Sequence, residues 1–271
     1  PEDMARLAAV PGLRAVGRPG LRVVFLGLDC ARGRSPHVSV PDNPLRDPGV
    51  RQALDLAFDR PALAAGPWRG YAEPAWQLPA PGETGYAAQL PPPRHDPAEA
   101  RRLLAAAGHA QGFELTVDAM QGVGEPVFEA LAAQAAEAGI RLRPRVSPPG
   151  PFLARVEARD SSAYLLRWTN DRGSAQDSYA SLLHTTRDSL GYMNGGGWSD
   201  ARFDRLLESV AGLRAHEKRA PLLVEATRLV ARERPLLPLY RLHDLFAFSD
   251  RLEFEPRQHR SLRVAQLRFR P

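Results

Sequence analysis

The chain has 271 residues, 44% hydrophobic and 25% charged, with a formal net charge of +5 and a pI near 9.9. This is globular composition, with enough chain to bury one large core or two smaller ones, and it excludes disorder outside a few proline-rich loops. The positive charge does not point to nucleic acid. It is nearly all arginine, with Lys218 the one lysine, scattered among acids and never gathered into one basic stripe.

Cys30 is the single cysteine, so an intrachain disulfide and a cysteine-based zinc site are both excluded. No apolar run approaches the roughly 18 residues of a membrane span. The opening "PEDMARLAAVPGLRAV" has no signal-peptide pattern and reads like the interior of a longer polypeptide, so any targeting signal is expected elsewhere.

In chain order, "LRVVFLGLDC" (21–30) is a β-rich apolar run and predicts a buried strand. In "NPLRDPGVRQALDLAFDRPALAAG", Asp47 is placed to cap a helix that starts at Pro48, with Val50, Leu54, Ala57 and Phe58 on one face. Residues 67–94, rich in Pro and Gly and carrying Trp68, Tyr71, Trp76 and Tyr86, predict a long irregular loop of the kind that is often functional. A helix capped by Asp96, with Pro97 in its first turn and Gly108 as its stop, follows.

From 113 the sequence alternates strand and helix: "FELTVDAM", "EPVFEALAAQAAEAGI", "RLRPRVS", "GPFLARVEARD", "SAYLLRWTND". Alternation at these lengths predicts parallel strands with right-handed crossovers. A Gly-rich loop then leads to two helices, the first capped by Ser199 or Asp200. "LLPLYRLHDLFAFSD" predicts one or two strands, and "LRVAQLRF" a last one.

No catalytic constellation forms. Cys30 reads as a small apolar residue ending a strand, and Asp96 beside His95 as a helix cap. "HEKR" lacks the second histidine of a zinc helix, and neither "GVGEP" nor "NGGGW" matches a phosphate loop. Glu253 and Glu255 alternate along a strand as a solvated face. The stretch "LLRWTND" (165–171) is different, because it ends a strand of a parallel sheet. Ligands are held at that carboxyl edge. There Asp171 could meet a cationic group while Trp168 covers its apolar part, with Asn170 between them. The competing reading makes Asp171 a turn cap or the partner of a neighbouring arginine, and Trp168 core.

The order of segments resembles the family 5 extracellular solute-binding proteins, the peptide, nickel and related receptors of ABC importers. "NPLRDPGVRQALDLAFDRPALA", "GYAEPAWQLPAPGETGY", "HDPAEARRLLAAAGHAQGFELTVD", "LLRWTNDRGSAQDSYASLLHT", "NGGGWSDARFDRLLESV" and "LLPLYRLHDLFAF" follow the family's order from Asn43 to Phe248. The resemblance implies an α/β, periplasmic-binding-protein-like lobe with a mostly parallel mixed sheet flanked by helices, the first lobe largely missing. By that comparison residues 1–20 are a remnant of the first lobe and the approach to the hinge. Residues 21–242 are the second lobe with both hinge strands, and 243–271 return toward the first.

The same resemblance implies ligand contacts from Asp171, which in the family's peptide receptors meets the amino terminus, from Trp168 as the wall, and from Asn194 of the Gly-rich block. Two departures bear on specificity. The family's "SNPE" is here Ser199-Asp200-Ala201-Arg202, and "RGSAQDS" replaces a Pro-containing segment after Asp171. The implied function is binding of a peptide or a small polar or cationic solute for a membrane permease. It implies a monomer in the periplasm, or lipid-anchored outside the cytoplasm, with no cofactor, metal, catalysis or nucleic acid. A ligand-sensing lobe of a transcriptional regulator is the alternative, to be decided by the sequence upstream.

Overall fold

The computed structural model describes residues 1–123, 125–170, 172–256 and 267–269, with the backbone alone at 125 and 126. Helix α1 (Glu2–Ala8) precedes the long strand β1 (Leu13–Leu28), which begins eight residues earlier than its apolar run suggests. The next segment folds as two helices, α2 (Pro48–Ala57) and α3 (Arg60–Ala65). Asp47 accepts from the Gly49 amide and Asp59 from that of Ala62, so a second cap restarts the chain after Phe58 leaves helical geometry. A short strand β2 (Ala72–Pro74) lies within the expected loop, and α4 (Pro97–Ala106) starts where Asp96 accepts from Glu99 N.

The alternating region is β3 (Phe113–Met120), α5 (Glu125–Glu137), β4 (Ile140–Ser147), α6 (Pro149–Glu157) and β5 (Ala163–Thr169). It is followed by α7 (Ala175–Leu182), α8 (Ala201–Ala211) capped by Asp200, and α9 (His216–Glu233). The chain closes with the single strand β6 (Leu236–Ser249) and a small ladder of β7 (Leu252–Glu253) with β8 (Arg268–Phe269).

The main sheet runs β2-β6-β1-β5-β3-β4. Strands β5, β3 and β4 are parallel, as the alternation requires, while β1, β6 and β2 join antiparallel. Both faces are covered. Val24, Leu26 and Leu28 enter one core with α2, α4 and α5; Val23 and Phe25 enter the other with α6 to α9. Alternate residues of one strand thus serve two cores, and so the run "VVFLGL" is apolar throughout. Pro238, inside β6, sits at a register shift against β1, where a missing amide hydrogen is tolerated.

Beyond Arg22, the partner of Thr169, β1 has no further pairing with β5, and its first half pairs with β6 alone, from Leu13↔Ser249 to Pro19↔His243. A two-stranded ribbon therefore leaves the sheet at the edge where β5 ends. At its root Arg22 donates to Asp244 at 2.8 Å, and the register is irregular between Pro19 and Arg22. Gly20 is required there, since a Cβ would stand 2.7 Å from the Leu242 carbonyl oxygen.

Candidate ligand-binding site

Three strands point their carboxyl ends at the face from which the ribbon departs. Trp168, next to last in β5, lies half-buried against the α6–α9 core and donates its indole N–H to Ser178 Oγ of α7 at 3.1 Å. That bond fixes the ring. One residue past the strand, Asn170 is 4% exposed, and neither its Oδ1 nor its Nδ2 has a hydrogen-bond partner. A buried amide left unpaired costs on the order of 1–3 kcal/mol, so it needs an explanation, and a binding site supplies one. Asp171 lies outside the described residues.

The surroundings are ordered by contacts the sequence did not announce. The loop of residues 67–94 reaches across, with Thr84 N donating to the Gly173 carbonyl and Ala175 N to that of Thr84, and so positions the start of α7. Farther along the sheet, level with Tyr164 near the amino end of β5, Asp118 of β3 is fully buried and receives Arg145 at 2.6 and 2.8 Å and Arg155 at 3.0 Å. Burial by itself would raise this carboxyl's pKa, but the hydrogen bond from Arg145 and the charges of Arg145 and Arg155 hold it below its usual value. Arg155 also donates to Ser147 Oγ at the end of β4. The trio ties three neighbouring elements together beside the amino end of β5, where Arg145 also donates to the Asp160 carbonyl.

Asn194 does not join Trp168 and Asn170. The Gly-rich loop packs at the opposite, amino end of β5, where Gly196 accepts from Cys30 N and a Cβ on Gly196 would stand 2.0 Å from the Leu28 carbonyl oxygen. Asn194 donates to the carbonyls of His184 (3.0 Å) and Trp198 (2.7 Å) and accepts from Trp198 N (3.1 Å). All its hydrogen-bonding capacity organises that loop. The glycine run exists for close packing against a strand end.

Other motif residues also prove structural. Arg60 pairs with Asp55 at 2.5 Å and donates to the carbonyls of Ala75 and Pro238; Arg51 donates to those of Leu45, Arg46 and Glu233. Burial pushes the pKa of Cys30 up to about 12, which favours the neutral thiol. Among the described residues no group of three or more His, Cys, Asp or Glu side chains could hold a metal, and no helix is long and apolar enough to cross a membrane.

This mixed α/β fold is shared with periplasmic binding proteins of solved structure. The chain belongs to the bacterial extracellular solute-binding proteins, family 5, whose "Middle" model matches residues 1–189. The Di/tripeptide-binding protein 3 of Pseudomonas aeruginosa is 28% identical over 246 residues, which are 88% of this chain and 44% of that protein. Heme-binding protein A of Haemophilus influenzae is 24% identical over 243 residues, 88% of this chain and 42% of the relative. The fold is shared with the periplasmic binding protein DppA from Helicobacter pylori in complex with peptide STSA, at a TM-score of 0.80 and 18% identity, over 93% of this chain and 48% of that one. The chain spans less than half the length of these relatives.

Proposed function

We propose that the chain is the ligand-binding second lobe of an ABC-importer substrate-binding protein, acting on peptides or a related small polar or cationic solute outside the cytoplasm. In this reading residues 21–242 form the lobe with both hinge strands, and the flanking segments lead to the other lobe. The ribbon of β1 and β6 is the hinge, and its departure from the carboxyl edge of β5 sets the second wall of the cleft opposite Trp168 and Asn170. Closure excludes water and completes the contacts of a bound solute, and a membrane permease receives the closed form.

The observation that carries this reading is Asn170, a buried amide with both ends unpaired beside an indole held by Ser178, at the edge where α/β sheets hold ligands. The names of the relatives, which include di- and tripeptide binders, favour a peptide. In this assignment Asp171 meets a ligand cation and Trp168 covers the adjoining chain. It follows from the sequence position of Asp171, next to Asn170.

Calorimetric titration of the full-length protein with dipeptides is the test. Asp171→Ala is expected to weaken binding by about 2–3 kcal/mol, roughly 30- to 150-fold. An unchanged affinity removes Asp171 from the site, and absence of binding to di- and oligopeptides by the unaltered protein removes the peptide assignment.

A further inference from the structure

A second concavity lies away from the end of β5, on the edge formed by β2 and β6. It encloses about 280 Å³ and is walled by Pro74, Trp76, Pro81 and Tyr86, with Glu73 at its rim and Arg241 on its inner side. The walls are fixed in advance. Trp76 donates its indole N–H to the Leu90 carbonyl at 3.0 Å. The Gln77 amide clasps the backbone of Ala87, next to Tyr86, through bonds of 2.9 and 3.3 Å. Little order remains to be imposed by a ligand.

Arg241 is the unusual member. It is only 5% exposed, and its terminal nitrogens donate to the carbonyls of Pro79, Leu78 and Gln77 at 3.1 to 3.4 Å. No carboxylate among the described residues stands within ion-pair distance of it. Glu73 lies 3.4 Å from His243 Nε2, and Glu83 accepts from Ala80 N. Burial pulls the pKa of Arg241 below the usual arginine value, and the charges of Glu83 and Glu73 offset that only in part. Carbonyls thus take the hydrogen bonds of a buried guanidinium, carboxylates act on it only from beyond ion-pair distance, and beside it lies an apolar space. An entering anion would supply a direct ion pair that the nearby carboxylates do not make, and only one with a hydrocarbon body would also suit the walls.

We propose that this pocket is a separate binding site for a small carboxylic acid with an apolar body, its carboxylate on Arg241 and its body against Trp76, Tyr86 and the two prolines. It is distinct from the site at the end of β5. Arg241 pairs with Val23 and Val23 with Trp168, so the two side groups are two strands apart, about 10 Å. The assignment is independent of the peptide reading.

Titration of the full-length protein with 3-phenylpropionate, followed by saturation-transfer NMR, tests it against 3-phenylpropan-1-ol. The acid is expected to bind saturably at about 1 mM or tighter, and the alcohol at least about tenfold more weakly. Tyr86→Ala should weaken the acid about tenfold, and Asp171→Ala should leave it unchanged. Tyr86 is only partly buried, so its variant is informative even if Arg241→Gln fails to fold. No saturation by about 10 mM, an alcohol as tight as the acid, or no effect of Tyr86→Ala would each overturn the proposal.

Discussion

Two asparagines at opposite ends of β5 have the same exposure, 4%, and opposite circumstances. Asn194, near the amino end, has both amide hydrogens donated and its oxygen accepting. Asn170, past the carboxyl end, has none of these bonds. Burial therefore does not by itself mark a polar residue as structural or functional; the state of its hydrogen bonds does. The protein satisfies the side-chain amide of Asn194 and leaves that of Asn170 open, where a ligand is proposed to complete it.

The contrast can be broken by substitution. The largest effect is expected at Asp118, the extreme of the paired class. Asp118→Ala should destabilise by about 3 kcal/mol in urea unfolding, the lower part of the range for a broken buried pair because Arg145 and Arg155 keep some access to water. The folded-state pKa of Asp118 lies below its unfolded value. Its contribution is thus complete above about pH 4 and fades as pH falls through the folded value, and Asp118→Asn should flatten the loss of stability between pH 7 and pH 3.

Next comes Asn194→Ala. It strands two carbonyls and one amide hydrogen and should cost about 2 kcal/mol in the same assay, with ligand affinity unchanged in the folded fraction. Asn170→Ala is expected to have the smallest effect on stability and the reverse pattern. Removing an unpaired amide should leave the urea midpoint unchanged or raise stability by up to about 1 kcal/mol, while dipeptide affinity falls. Equal destabilisation by the two asparagine variants would erase the distinction between the two ends.

Much of the fold was legible. Asp47, Asp96 and Asp200 cap the helices expected of them, and the alternation from Phe113 to Thr169 gives the parallel strands. These features are local: a cap needs a side-chain oxygen and a nearby amide, and periodicity needs only one face to bury. Two local signals were misread. The break at Phe58 was hidden because the residues on either side continue a helical pattern, and β2 is too short to stand out within a proline-rich loop.

The site was legible in part. Trp168 and Asn170 sit at the strand end expected of them, and Asp171 lies outside the described residues. The placement of Asn194 apart from them was not legible, because the sequence gives the order of segments but not which end of β5 a later loop packs against. Arg241 carried no signal at all: within "LLPLYRLHDLF" it resembles any polar residue of a strand, and only the pairing of β6 with β2 buries it beside Trp76 and Tyr86.

By itself the sequence determined element type, capping and the two-faced apolar strands, since each depends on neighbours within a few residues. Tertiary structure decided the antiparallel joining of β1 and β6, the ribbon beyond the sheet, and which buried polar groups find partners. Those outcomes depend on segments such as 13–28 and 236–249, far apart in the chain, being brought together, and no local pattern encodes the partner.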